Sequence, residues 1–202
     1  MNKSLNRLFT VFAISSLSLW GTTKAQAQRR SVKEANKINE KRNDVKSDMS
    51  GINDSKLDYD SEFVVAAASS NMLEIALGQL AQQKGLVTEV KEWGKKMEQD
   101  HGMAEQQLRE IAFRDQITLP GMMSKDGRDM YDDVDDRKYL GFDKKYLRTL
   151  KDLHEQDLKR YAEAATKLRN PDLQRYATQM LLQLREHETM VDQLYQRAND
   201  RK

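Results

Sequence analysis

The stretch "MEQDHGMAEQQL", residues 97–108, spaces its apolar side chains as an amphipathic α-helix does. Met97, Ala104 and Leu108 lie on one side of this helix, and His101 lies on the same side. A polar side chain on a buried face needs a partner. The stretch therefore predicts a helix whose inward face carries an imidazole with a specific role.

Helical spacing recurs in three further segments, and capping residues mark where they begin and end. Asp60 or Ser61 can cap the first helix, which Gly85 can end. Asn170 can cap the last helix, with Pro171 in its first turn. No stretch alternates with a period of two over the length of a strand. We therefore predict an all-α fold with four helices, over residues 60–85, 86–114, 142–168 and 170–198.

The connections between these helices restrict the topology. Helices one and two, and likewise three and four, are joined by few residues, which makes each pair an antiparallel hairpin. The middle connection is long and includes the polar, acidic segment 119–141. Such a segment can run the length of a helix, so we predict a ferritin-like four-helix bundle over residues 59–199, with a long connection between helices 2 and 3. A simple up-and-down bundle with a long loop is the alternative.

The N-terminal residues predict secretion. Residues 1–27 combine a basic start, a short apolar run and the small-residue sequence "AQA", which is typical of a cleaved signal peptide. No later apolar run is long enough to span a membrane easily, and the chain contains no cysteine. We expect a secreted protein in the periplasm or associated with the outer membrane.

The next segment, residues 28–58, holds many charges and few large apolar side chains. Such a composition buries too little surface to offset chain entropy, so we predict a flexible charged tether or a loose helix. Without residues 1–27, acidic and basic residues nearly balance, because the signal peptide carries three basic residues and no acid. This balance argues against a nucleic-acid partner.

All three histidines of the chain lie at inward positions of predicted helices. His101 lies in the second helix, His154 in the third and His187 in the fourth, each among apolar neighbours, and Glu74 borders the apolar stripe of the first helix. Imidazole and carboxylate groups on facing helices are the usual ligands of transition metals in helical bundles. We predict a site for one transition-metal ion (Zn, Cu, Fe or Mn), with the candidate ligands Glu74, Glu98, His101, His154, Asp157 and His187.

The depth of these residues along the helices supports a single site. His154 and His187 lie at nearly equal distances in sequence from Asn170, so the second hairpin brings them to one level. Glu74 and His101 differ by about one turn in the first hairpin. The alternative is that each histidine is a core residue hydrogen-bonded to a backbone carbonyl or a carboxylate.

Several stretches resemble the bacterial envelope family called domain of unknown function 4142. The resemblance covers residues 60–197 and implies a ferritin-like fold in a predicted outer-membrane protein without an established activity. It is carried by "DSEFV" (60–64), "MLEIALGQLA" (72–81), "VKEWGKKMEQDH" (90–101), "GFDKKYL" (141–147), "NPDLQRYA" (170–177) and "LQLREH" (182–187). The family pattern matches this chain at Glu74, Asp100, His101, His154 and His187.

The chain departs from that family and from di-iron bundles at particular positions. Leu153 stands where the family usually has Asp, and Glu98 stands where it usually has an apolar residue. A di-iron bundle needs two Glu-x-x-His pairs, but Leu184 lies three residues before His187. We therefore expect a mononuclear or histidine-rich site rather than a ferroxidase centre.

Two functions are compatible with this sequence. The first is a secreted helical bundle that binds metal for metal handling or stress protection. The second is a non-catalytic envelope interaction or stress protein with structural histidines, which acts through an envelope protein partner or as a homo-oligomer. The sequence contains no nucleophile elbow, phosphate-binding loop or zincin motif, so we assign no enzymatic activity.

Overall fold

The structure, a computed structural model, describes residues 30–201. The predicted signal peptide, residues 1–27, lies outside this range. The described residues form six α-helices and no strand, which confirms the all-α class and corrects the predicted number of helices. The helices are α1 (Val32–Ser50), α2 (Asp54–Lys84), α3 (Thr88–Arg114), α4 (Lys125–Asp135), α5 (Tyr139–Lys167) and α6 (Pro171–Asp200).

The four long helices α2, α3, α5 and α6 correspond to the predicted ones, and local capping fixes their ends. The Asn170 side chain accepts hydrogen bonds from the first backbone N–H groups of α6, with Pro171 in the first turn, as predicted. α2 begins at Asp54, ahead of the predicted start at Asp60, because the Asn53 side chain provides an earlier cap.

The long helices form a closed ring in which each helix is antiparallel to its two neighbours. α2 packs along α3, and α5 packs along α6, while narrower contacts join α2 to α5 and α3 to α6. At one end, Asp60 of α2 accepts hydrogen bonds from the backbone N–H groups of Arg169 and Asn170, which follow α5. At the other end, Asp143 of α5 accepts a hydrogen bond of 2.8 Å from the backbone N–H of Leu86, in the loop between α2 and α3.

The connection between α3 and α5 runs from one end of this ring to the other. α3 ends beside the start of α6, where the Asn170 side chain donates to the Asp115 carboxylate. α5 begins at the opposite end, so α3 and α5 are parallel. The predicted polar connection 119–141 contains a helix, α4, which the Ser124 hydroxyl caps and which packs against α2 and α5. The sequence did not predict α4, because the segment is highly charged and few of its side chains are buried.

Two hydrophobic clusters occupy the two ends of the ring. One includes Phe63, Leu108 and Tyr176, and the other includes Leu77 and Phe142. A layer of buried polar side chains lies between the two clusters, near the middle of the long helices. Among the described helices, only α2 is long and apolar enough to cross a membrane, and 67 % of its most apolar window is buried inside the protein.

Two glycines bring the backbones of α2 and α3 into contact. A Cβ atom on Gly78 would lie 2.5 Å from the carbonyl oxygen of Gly94 and 2.9 Å from the backbone nitrogen of Glu98. A Cβ atom on Gly94 would lie 2.7 Å from the carbonyl oxygen of Gly78. All three distances are shorter than an ordinary van der Waals contact, so the spacing of these helices depends on the absence of a side chain at both positions.

The N-terminal segment, predicted as a flexible tether or a loose helix, contains a helix that packs against the rest of the protein. Within residues 28–58, α1 has a capping box formed by Ser31 and Glu34, and it packs against α2. Its buried side chains include the polar residues Asn39 and Asn43. Because the segment has few apolar residues, its composition did not predict that it packs against α2. The segment is attached by hydrogen bonds rather than by a large hydrophobic face.

Asn39 makes the clearest of these attachments, and we expect its loss to destabilise the protein. Its side chain donates 2.9 Å to the carbonyl oxygen of Thr118 and accepts 2.7 Å from the backbone N–H of Thr118. Asn39→Ala should therefore cost about 2 kcal/mol, which lowers the melting temperature by roughly 6 °C in a domain of this size. Thermal unfolding followed by circular dichroism measures this, with the exposed α1 variant Glu40→Ala as the matched control. Equal melting temperatures for the two variants would show that α1 is a loose tether.

Candidate metal centre

The three histidines converge in the polar layer between the two hydrophobic clusters. His101 of α3, His154 of α5 and His187 of α6 each offer one ring nitrogen, and these three atoms lie within 4.8 Å of one another. Their exposed fractions are 1 %, 0 % and 0 %. All three imidazoles, which were predicted at inward positions of their helices, lie in one buried cluster.

Glu74 of α2 joins this cluster from the fourth helix. Its Oε2 atom lies 3.2 Å from His154 Nε2 and 2.9 Å from His101 Nε2, and the residue is fully buried. The backbone positions of Glu74 and His101 differ by about one turn in depth along the hairpin. Their side chains still meet, because helical side chains point toward the N-terminus of their own helix. In antiparallel α2 and α3 these directions converge.

A hydrogen-bond acceptor holds one ring nitrogen of each histidine. His101 Nδ1 lies 3.0 Å from Asn71 Oδ1, and His187 Nε2 lies 2.7 Å from Asp100 Oδ2. Glu74 Oε2 is the acceptor beside His154 Nε2. A carboxylate only accepts, and the Asn71 amide nitrogen already faces other acceptors, so in each contact the imidazole N–H donates.

The other nitrogen of each ring is buried and has no hydrogen-bond partner among the described residues. These atoms are His101 Nε2, which lies near Glu74 but outside hydrogen-bond geometry, His154 Nδ1 and His187 Nδ1. A buried nitrogen without a partner is costly, and native proteins rarely tolerate three together. Histidines that bind metal show the same arrangement, with one ring nitrogen on the ion and the other donated to an oxygen acceptor.

The surroundings of the cluster shift the pKa values of His101 and His187 in opposite directions. Burial opposes ionisation of Glu74, but the charge of His101, 2.9 Å away, and the hydrogen bond from His154 outweigh it and hold the pKa of Glu74 well below its usual range. Burial also disfavours the charged form of His101, but Glu74 raises its pKa. Burial and the charge of His101 lower the pKa of His187 to about 4. His187 is therefore neutral at pH 7 and keeps a free lone pair.

Two predicted ligands lie apart from the histidine cluster. Glu98 is half-buried at the outer edge of the contact between α2 and α3, where it accepts hydrogen bonds from Gln79 at 2.8 Å and Gln82 at 2.7 Å. Three residues before His101 on a helix, it turns toward α2 rather than toward the core. Asp157 is buried one turn beyond His154 but pairs with Arg160.

Asp157 still connects to the cluster through one residue. The Ser70 hydroxyl lies 2.8 Å from Asp157 Oδ2 and 3.3 Å from Glu74 Oε1. Burial and the neighbouring Glu74 charge raise the pKa of Asp157 to about 6. Asp157 therefore neighbours the site without facing the histidines.

Sequence reasoning missed two polar residues of the site, Ser70 and Asn71. They precede Glu74 by four and three residues, so all three share one side of α2. Polar residues in the middle of an otherwise apolar helix could have identified them. Trp93 of α3 also lies beside the site, with its ring edge-on to that of His187 and the centroids 5.3 Å apart.

The donor set suits a transition-metal ion. Three buried imidazoles and a buried carboxylate are ligands that Zn, Cu, Fe and Mn accept. The three nitrogens without partners are the atoms on which such an ion would be held, and Asn71 and Asp100 would orient two of the rings.

Comparison with known families gives one match. A family model described as Domain of unknown function (DUF4142) matches residues 46–194, more than half of the chain. The match confirms the resemblance seen in the sequence. No curated protein and no solved structure matches the chain.

Proposed function

This chain belongs to the family described as Domain of unknown function (DUF4142), and we propose that its buried histidine cluster binds one transition-metal ion. His101, His154 and His187 are the nitrogen ligands in this proposal, and Glu74 is the oxygen ligand. The observation that carries it is the presence of three buried ring nitrogens without hydrogen-bond partners, one on each histidine.

The surroundings of the cluster support binding rather than catalysis. The histidines lie between two hydrophobic clusters, and each is at most 1 % exposed. A buried site of this kind holds an ion for storage, buffering or protection against stress. An envelope interaction protein with structural histidines is the competing function.

We further propose a ferritin-like four-helix bundle as the frame of this site. The long connection between α3 and α5 and the four inward ligands, one from each long helix, support this assignment. We also propose that the mature chain begins near residue 28 and acts in the periplasm or at the outer membrane, on the basis of residues 1–27.

Trp93 provides a direct test of metal binding. The chain has two tryptophans, so Trp20→Phe leaves Trp93 as the single emitter, in contact with His187. Titration of this chain with Cu²⁺ should quench its fluorescence with a one-to-one endpoint, because a paramagnetic ion on His187 lies close to the indole. Zn²⁺, Mn²⁺ and Fe²⁺ should be examined by calorimetric titration.

Thermal stability provides the control. An ion that binds the folded state alone stabilises it by about 2.7 kcal/mol at a hundred times its dissociation constant, so the melting temperature should rise. Absence of any binding tighter than about 100 μM for all four ions would contradict the proposal and favour the interaction protein.

A further inference from the structure

A polar path leads from the histidine cluster to the protein surface between α2 and α5. We propose that a metal ion enters along this path, that Asp157 is the first buried carboxylate it meets, and that the ion displaces the Arg160 guanidinium on the way. This inference rests on the proposed metal binding and adds the route by which the ion arrives.

The path consists of oxygen atoms in hydrogen-bond contact. Arg160 pairs with Asp157, and Asp157 Oδ2 lies 2.8 Å from Ser70 Oγ. Ser70 Oγ lies 3.3 Å from Glu74 Oε1, whose other oxygen contacts His101 and His154. A cation moving inward therefore finds an oxygen donor at every step and never crosses a purely apolar layer.

A cavity opens at the outer end of this path. It has a volume of about 240 Å³ and lies between α2, α4 and α5, with Ser70 and Arg160 in its lining. The Asp157 side chain behind Arg160 is 4 % exposed, whereas that of Arg160 is 36 % exposed. Arg160 thus covers a buried carboxylate and can swing outward, because it reaches solvent.

The protein contains a similar pair on the opposite side of the cluster, which makes an internal comparison available. Asp100 contacts His187 and pairs with Lys96 at 2.8 Å, and Lys96 is exposed. Neither residue lines the cavity. Asp100 also accepts a hydrogen bond from the ring of His187, so we infer that it positions a ligand. Asp157 makes no hydrogen bond to a histidine ring, so we infer that it takes part in metal entry.

The rate of metal uptake distinguishes the two sides. The full chain with Trp20→Phe is mixed with Cu²⁺ in a stopped-flow instrument, and the quenching of Trp93 is followed. Arg160→Gln should accelerate uptake about tenfold by uncovering Asp157, and Asp157→Asn should slow it by a similar factor, because one charge at the mouth of a site changes cation on-rates on this scale. Lys96→Gln, the matched control, should leave the rate unchanged. Equilibrium titration of each variant should give a dissociation constant within about threefold of the parent.

Each other outcome contradicts a particular part of the inference. Faster uptake by Lys96→Gln with no effect of Arg160→Gln would place entry beside Asp100. Equal rates for all variants that bind Cu²⁺ would overturn the route and leave the proposed function intact. Failure of the parent chain to bind any of Cu²⁺, Zn²⁺, Mn²⁺ and Fe²⁺ would overturn both. Circular dichroism of each variant confirms that it is folded, and Asp157→Glu, which keeps the charge, should restore part of the rate if Asp157→Asn slows it.

Discussion

Replacing His154 with alanine is expected to abolish stoichiometric metal binding. The substitution removes one of the three proposed nitrogen ligands and leaves the Glu74 carboxylate without a hydrogen bond from α5. Loss of a single residue that only orients a ligand typically costs 10–100-fold in metal affinity, so loss of a ligand itself should raise the dissociation constant more than about 100-fold. His101→Ala and His187→Ala should have the same effect, measured by calorimetric titration of the metal-free variants.

Glu98→Ala is the matched control for this prediction. Glu98 was a candidate ligand three residues before His101, but its carboxylate contacts Gln79 and Gln82 instead of a histidine. Its removal should leave metal affinity unchanged within about twofold. A loss of binding in Glu98→Ala equal to that in His154→Ala would show that the site lies elsewhere than in the histidine cluster.

Structural histidines would produce a different pattern. Without a metal, His154→Ala still leaves a cavity and a buried carboxylate with fewer partners, so it should lower the melting temperature of the metal-free protein by several degrees. His154→Gln retains a donor for Glu74 and separates the two effects. Under the metal-binding proposal it restores part of the stability and none of the stoichiometric affinity.

The inward positions of the histidines were predictable from the sequence because they depend on helical periodicity, whereas the convergence of all three depends on how the two hairpins pack together. Inward positions repeat regularly along a helix, and the symmetric distances of His154 and His187 from Asn170 fix their relative depth. Contact between Glu74 and His101 was less predictable, because side-chain direction rather than backbone depth brings them together.

The parts that escaped sequence analysis depend on contacts between distant residues. Docking of α1 relies on Asn39 meeting the backbone of Thr118, and no local pattern encodes such a pair. α4 was not predicted because its sequence is too charged to contain a recognisable apolar stripe. Glu98 has the right spacing from His101 but lies on the side of α3 that meets α2, which a count of residues between ligands does not resolve.

Gly78→Ala is expected to destabilise the protein, because the added methyl group meets backbone atoms of α3 rather than the end of a flexible side chain. The added carbon would lie 2.5 Å from the carbonyl oxygen of Gly94 and 2.9 Å from the backbone nitrogen of Glu98. Overpacking of this kind costs typically about 1–3 kcal/mol and outweighs the gain of about 1 kcal/mol that alanine brings to a helix.

Gly102→Ala on α3 is the matched control, because a Cβ atom there meets nothing within 4 Å. It should gain the helix propensity without the clash, so the melting temperatures of the two variants should differ by roughly 6 °C, which corresponds to a clash of about 2 kcal/mol. Gly78 also lies one turn from Glu74, so spreading α2 from α3 moves the carboxylate away from His101 and should weaken metal binding. Gly102 neighbours His101 in sequence, yet its variant should bind as the parent does. Equal stability and equal affinity of the two variants would show that the close packing of α2 on α3 does not set the geometry of the site.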